Sequence, residues 1–505
     1  MENTLHPVRH FYRQYLARYA WARKVKTVVL RAWFSNRHVR HVTAWHLRHS
    51  IHKMIYMLSQ CLQVFGHAAM RLAHRLNEQA AHNAKMEHHR LFFYAAYAMS
   101  SLGGGAVRLA SWMQQVSAAW FSFFSMVSLH EYCNADKPAT YTLAPAETAV
   151  LTMPSVHPAH YRQHFYSGVW PSEVPAVLAI EIHDAEVLGK CDFIFTRSQC
   201  LHHGLYKFEC DLPAEEINGM ISIDAKRNLV NRYVKTREPV ETLSEAISLI
   251  GSASANYAHW LTETAPKLAL IDELPQLSSF PLIVDADLHT NILESLQHLN
   301  TNKRKLVSLK RGQICKVDKL ITITPVAYVP FDFRRGFKPE QQKIDPDWAM
   351  FVPSGLLSLR HELLSRLVNG KEASGRLFLR RNSQFRQMKN AMEVEALLHE
   401  LGFQVVESET LSFADQVKLF SSAGIIVAQA GAALGNIIFA PVGCHVVILS
   451  AWSPVSNYYY FSNLASILGQ LCTYVLCNPD TQDYAHPAHK GFAVDIHTLR
   501  EAIGR

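Results

Sequence analysis

Between residues 175 and 325 the apolar positions gather into short β-branched runs: AVLAIEIHDAEVL, CDFIFT, AISLIG, PLIVDAD, KLVSL and KLITIT. Runs of this length, bounded by turn residues, predict strands. Stretches of helical period separate several of them, over 257–272 and 290–298. From residue 376 the alternation becomes regular. Strand RLFLRR (376–381) leads to helix NAMEVEALLHEL, strand FQVVES, helix SFADQVKLFSSA, strand GIIVAQ, a glycine turn and strand HVVILS. That series predicts a parallel sheet with helices on both faces.

The first 132 residues follow a different pattern. They are rich in Arg, His, Ala and aromatics and poor in Gly and Pro, which suits helices. Within them LASWMQQVSAAWFSFFSMVSL (109–129) runs uncharged for about the length of a membrane span, yet carries two glutamines and five serines. A buried helical pair is one reading, and a peripheral contact of residues 1–132 with an anionic membrane is the other. Prolines punctuate 133–175, and VPFDFRRGFKPEQQKIDPDW (329–348) reads as a linker. The expected organisation is a helical basic extension (1–135), an α/β domain (136–340) and a second α/β domain (341–505). Two successive α/β halves suggest paired Rossmann-like domains around a cleft.

Composition narrows the function classes. At 505 residues, 49% hydrophobic and 18% charged, the chain is folded and too long for one core. Its net charge of +8 is concentrated at one end, where the first hundred residues hold fifteen Lys and Arg against three acids. Beyond them the chain is near neutral, so no nucleic acid partner is expected for the α/β part. Nine cysteines form no C-x-x-C pair, and the first residues lack the apolar core of a signal peptide. A reducing, cytoplasmic setting follows, with the inner membrane face as the peripheral alternative. Thirteen of the 28 histidines lie in the first 132 residues without closed ligand spacing, and no metal site is expected.

The candidate chemistry lies at strand-to-helix junctions, where such sheets bind ligands. In SLIGSASANYAHWLTETAPKL a strand ends near Gly251, Asn256 is placed to cap a helix, and His259 and Glu263 share one face of it. A carboxylate beside an imidazole orients the ring and raises its basicity, the pairing a general base needs. The alternative is a capping histidine beside a core Trp260. In GIIVAQAGAALGNIIFAPVG a strand ends at Gln429, Gly431 allows a tight turn, and Ala432 keeps the backbone approachable. The helix that follows would aim free amides at a phosphate, with Asn436 as a further donor. Close strand-to-helix packing alone also explains that glycine. After RLFLRR, Arg381, Arg386 and Asn390 cluster where guanidinium groups grip phosphate oxygens, and Glu409 stands where an acid holds a ribose hydroxyl. Asp285 and Asp287 in VDADL are better read as turn formers than as metal ligands.

Together these stretches resemble glycosyltransferase family 61. The family's Asn-x-x-His-Trp stretch, acid and Pro-Arg/Lys-Leu appear as NYAHWLTETAPKL. Its arginine-ended strand, spaced Arg and Asn, and Glu appear as RLFLRRNSQFRQMKNAME, followed by GFQVVESETLSFADQV and AGAALGNIIFAPVG. The likeness runs from about residue 175 to 503, and no counterpart is recognised for 1–135. Two positions depart from the pattern: Ala430 replaces a usual histidine, and Arg380 a common serine.

The resemblance implies an inverting transferase of GT-B architecture, of a kind that includes bacterial capsule and surface-polysaccharide enzymes. His259 supported by Glu263 would be the base. Arg381, Arg386, Asn390, Glu409, Gly431, Ala432 and Asn436 would hold a nucleotide-sugar donor without a cofactor, and a glycan would be the acceptor. The alternatives are a catalytically degenerate nucleotide-sugar binder, prompted by Ala430, and a membrane adaptor acting through the basic segment.

Overall fold

The computed structural model describes residues 123–504, apart from 209–210, 212, 218–219, 233–238, 331–341, 369–374, 382–385 and 481–489. The expectations for the helical extension, including its membrane contact, therefore lie outside the described residues. Phe124–Val230 and Thr236–Arg505 form one compact unit.

In its first half, strand β1 (Phe123–Ser128) leads into helix α1 (Leu129–Asp136), and strands β2 (Thr140–Ala144), β3 (Ser155–His157), β4 (Val177–Leu188), β5 (Ile194–Phe195) and β6 (Gln199–His202) follow. Then come β7 (Glu241–Ser248), helix α2 (Tyr257–His259, extended by Trp260–Thr264 and Ala265–Ile271), β8 (Leu282–Asp285), α3 (Thr290–Leu299), β9 (Leu306–Leu309) and β10 (Ile314–Ile323). Among the described residues these strands belong to an eleven-stranded sheet, except β3. One parallel part has the order β9-β8-β7-β10, and β4 pairs antiparallel with β10, Ile182 opposite Leu320.

Two expectations change here. The uncharged run 109–129 does not continue as a helix to its end, because Phe123–Ser128 is a strand, Ser125 pairing with Gln199 of β6. Ser128 then starts α1 with a capping box: its hydroxyl accepts from the Glu131 amide, and Glu131 accepts from the Ser128 amide. Leu129 and Tyr132 of α1 pack into the sheet's core, so residues 124–135 belong to the compact unit rather than to the extension.

The second half adds α4 (Pro353–Leu367), β11 (Gly375–Leu379), α5 (Ala391–Glu400), β12 (Gln404–Val406), α6 (Phe413–Phe420), β13 (Ala423–Gln429), a 3₁₀ helix (Ala432–Phe439), β14 (His445–Ala451), α7 (Tyr459–Ile467), β15 (Leu471–Cys477) and α8 (Ile496–Ile503). Its six strands are all parallel, in the order β12-β11-β13-β14-β15-β3. The edge strand β3 comes from the first half of the chain, Val156 opposite Tyr474. That edge could not be read from three residues lying between prolines.

Alternation along each strand sets the layers. Leu377 and Leu379 face one core and Phe378 the other. Ile426 and Ala428 oppose Val427 in the same way, and Val446 and Ile448 oppose Val447. One face is covered by α5 and α8, through Leu398 and Leu499. The other meets a helical layer that includes α2, α3, α4, α6 and the 3₁₀ helix. The first sheet turns Ile247, Leu249, Leu282 and Val284 toward the same core, and Ala246, Ile250 and Ile283 away from it. The two sheets thus share one apolar layer of helices. The class is α/β, as the pattern predicts. No helix among the described residues is long and apolar enough to cross a membrane.

Candidate active site

The loop after β7 carries the first site. Asn256 caps α2, its side chain accepting from the Ala258 amide at 3.0 Å. The helix then widens into a π turn, in which the Ala265 amide reaches back five residues to the Trp260 carbonyl. Pro266 accounts for the irregularity: it has no amide to donate, and its ring crowds the carbonyl four residues earlier. Trp260 is fully buried and donates to Ser295 Oγ at 2.8 Å, which leaves His259 on the opposite, open side.

His259 Nδ1 lies 2.6 Å from Glu263 Oε1, and both side chains are about a quarter exposed. A carboxylate only accepts, so Nδ1 carries the proton and Nε2 keeps its lone pair. Burial alone would lower the imidazole pKa, but the charge and hydrogen bond of Glu263 outweigh it and the pKa is raised. The ring also packs against Tyr460, with centroids 5.3 Å apart.

A cavity of about 370 Å³ opens beside this pair, with His259, Glu263 and Lys267 on its wall. The loop that frames it is pinned by two aspartates. Asp192 accepts from the Ser252 amide and hydroxyl at 3.2 and 2.7 Å. Asp285 accepts from the Gly251 amide, the Ser254 hydroxyl and the Lys190 amide. Asp285 therefore organises a loop distant in the chain, and not the turn that follows it, which its sequence position suggests. Among the described residues no three His, Cys, Asp or Glu side chains gather as a metal-holding group.

The second site lies where β11 and β13, neighbours in the sheet, end side by side. Strands follow each other there in the chain order two-one-three-four-five, and helices leave β11 and β13 on opposite faces. The crevice at such a switch point is where doubly wound sheets take ligands. Arg381 Nη1 donates to the Ala430 carbonyl at 2.5 Å, and Arg386 Nη1 donates to the same oxygen at 3.1 Å. Burial, and then repulsion from Arg386, lower the pKa of Arg381, while Glu409 opposes them. Gly431 follows in extended backbone, and a β-carbon there would collide with the Arg381 guanidinium. No side chain caps the 3₁₀ helix that starts at Ala432, and Ala432 itself is exposed.

Arg381, Arg386, Glu409, Gly431 and Ala432 thus come together. Asn390 and Asn436 do not join them. Asn390 is bonded on both sides to Val494, donating to its carbonyl at 2.8 Å and accepting from its amide at 2.9 Å. Asn436 is fully buried, accepting from the Tyr257 hydroxyl at 2.8 Å and donating to Gln416 Oε1 at 2.7 Å. Its side chain points into the helical layer and not toward the turn. Arg380, one residue from Arg381 and on the other side of the strand end, is held by Glu395 and Glu407 and does not fill the place of the histidine missing at 430.

The two sites adjoin through their helices. Gly435 lies against Ala258, where an added β-carbon would stand 3.0 Å from the Ala258 Cα. The Gly431 turn is four residues back along the 3₁₀ helix, about 8 Å at its usual rise. The halves are therefore packed together here, and the cavity beside His259 does not include Arg381 or Gly431 in its wall. A wider groove of about 680 Å³ beside β12 contains none of the candidate residues.

Residues 257–447, which hold the His259–Glu263 pair, the arginine-lined turn and the contact between them, match the sequence model of the family Glycosyltransferase 61. The chain carries a family 61 glycosyltransferase domain. No curated protein matches it. A glycosyltransferase binds a sugar donor and an acceptor.

Sequence reasoning about the transferase missed part of its first site. Asp192 belongs to a strand-like run, CDFIFT, and only the fold brings it against Ser252. Lys267 was open to view: it continues the stripe of His259 and Glu263 by one more step of four. Burial lowers its pKa, while Asp192 and Glu263 raise it.

Proposed function

We propose that this enzyme is an inverting transferase that moves a sugar from a nucleotide-sugar donor to a glycan hydroxyl, in the synthesis of a surface or capsular polysaccharide, on a scaffold of GT-B type. The observation that carries the reading is the contact of Ala258 with Gly435, which sets the helix of the base against the helix that starts at the arginine-lined turn.

The acceptor hydroxyl approaches His259 from the cavity. Nε2 takes its proton as the oxygen attacks the anomeric carbon, while Glu263 holds Nδ1–H and stabilises the imidazolium that forms. A new C–O bond to the acceptor forms on one face as the bond to the diphosphate oxygen breaks on the other. The leaving diphosphate keeps the electron pair. Arg381, Arg386 and the free amides at Ala432 offset its charge, a role they can fill without a metal ion. The two arginines repel each other in the free protein, and a diphosphate relieves that repulsion. Glu409, whose charge acts on Arg381, would accept from a ribose hydroxyl.

The deciding experiment is a thermal-shift screen against nucleotide sugars, followed by transfer to glycan acceptors with the stabilising donor. Binding to the folded state raises the midpoint. Proton NMR of the product reads the anomeric configuration. If no nucleotide sugar raises the midpoint, the donor assignment is wrong. A product that keeps the donor's configuration removes the single displacement.

A further inference from the structure

The cavity beside His259 has a charge and a lining of its own. Among its described wall residues three carboxylates, Asp192, Asp211 and Glu263, stand against one ammonium, Lys267, and the His259 ring, which Glu263 already holds. Asp192 and Glu263 both favour the charged form of that ammonium against its burial. The wall's other histidines add no charge at neutral pH: burial lowers the pKa of His202 to about 4 and of His203 to about 3. Behind Asp192 lies Glu215, fully buried, with Oε1 accepting from the Asp192 amide; burial lifts its pKa to about 8, so it adds no charge at neutral pH. Burial also raises the pKa of Asp192, while Lys267 and the Ser252 hydrogen bonds favour its ionised form. One side of the wall is aromatic. Tyr206 stacks on His203, with centroids 4.2 Å apart, and meets Tyr328 edge-on at 5.6 Å.

Carboxylates accept hydrogen bonds from hydroxyl and ammonium groups, and ring faces pack on the C–H face of a pyranose. The same carboxylates repel an anion, all the more in a partly buried site. The diphosphate of the donor is therefore excluded from this cavity and confined to the arginine turn. We propose that the cavity takes the acceptor, that the sugar it accepts is uncharged or amino-bearing, and that Asp192 is the residue that turns uronic acids away. The inference rests on the transferase reading above for the word acceptor. Its charge preference rests on the cavity alone.

Saturation-transfer NMR on the full chain, without donor, compares the methyl glycosides of glucosamine, glucose and glucuronic acid below the pKa of the amine. The glucosaminide is expected to bind about tenfold more tightly than the glucuronide, with the glucoside between. A glucuronide that binds as well as the glucosaminide, or a cavity that binds none of the three, overturns the proposal. Asp192→Asn is expected to narrow the ratio to about twofold while leaving nucleoside diphosphate binding unchanged. Because Asp192 also holds Ser252, Lys267→Gln provides a second arm with the opposite sign: the glucuronide should weaken further, and unchanged glucuronide binding counts against the charge argument. A nucleoside diphosphate series run in parallel keeps the two readings apart. Failure of every diphosphate to raise the melting temperature would remove the transferase reading, while the glycoside order would still judge the cavity.

Discussion

The guanidinium of Arg381 occupies the space that a β-carbon on Gly431 would need. Gly431 is in extended backbone that any residue can adopt, so its lack of a side chain matters for space and not for conformation. Gly431→Ala is therefore expected to push Arg381 off the Ala430 carbonyl without disturbing β13. Charge-assisted hydrogen bonds contribute about 1.5–3 kcal/mol each, so nucleoside diphosphate affinity should fall at least about tenfold. The melting temperature of the free protein should move by no more than about 3 °C. Titration calorimetry and a melting curve separate the two effects, and unchanged affinity would show that the arginine does not face the ligand.

The pairing of His259 with Glu263 makes a different prediction. His259→Ala should reduce transfer by a factor of about 10² or more, since a positioned base typically contributes that much. Diphosphate affinity should stay within about threefold, because His259 is not part of the arginine turn. Equal loss of both would mean that the ring only supports the packing of α2.

The same pair fixes the sign of the pH dependence. A base works in its neutral form, so the rate falls as pH drops through the pKa of His259. Although burial acts to lower that pKa, Glu263 raises it above the ordinary histidine value, and the acidic limb should lie on the high side of 6.5. In Glu263→Gln the carboxylate is gone and burial remains, so the limb should move to lower pH while the plateau rate drops. A profile of kcat/KM against pH for both proteins tests this, and a limb that does not move excludes Glu263 as the partner that sets the base.

Much of this fold could be read before any coordinates. The strand that ends at Gln429, the cap at Asn256 and helices over 257–272 and 290–298 all follow from period and turn chemistry, and they are observed, the helices over 257–271 and 290–299. These are local features, and local patterns carry them. What stayed hidden depends on which strands become neighbours. Arg381 and Gly431 meet because β11 and β13 pair, and no single window of sequence shows that pairing. Asp192 reaches Ser252 across sixty residues for the same reason. Asn436 was misplaced because a polar residue on a short helix looks like a ligand donor. The sequence does not show that a tyrosine from one neighbouring helix and a glutamine from another would enclose it.

That enclosure gives the last prediction. Tyr257, Asn436 and Gln416 form a chain of hydrogen bonds through the helical layer, and all of it lies away from the arginine turn. Asn436→Ala leaves the Gln416 side chain buried without its donor and opens a small void. The expected loss is about 2–4 kcal/mol of stability, read from chemical denaturation. Tyr257→Phe removes only one donor and should cost about 1 kcal/mol. Both variants, once folded, should bind nucleoside diphosphate within about threefold of the parent. The opposite pattern, with Asn436→Ala as stable as the parent but unable to bind, would return Asn436 to the donor site and show that its amide turns toward the ligand.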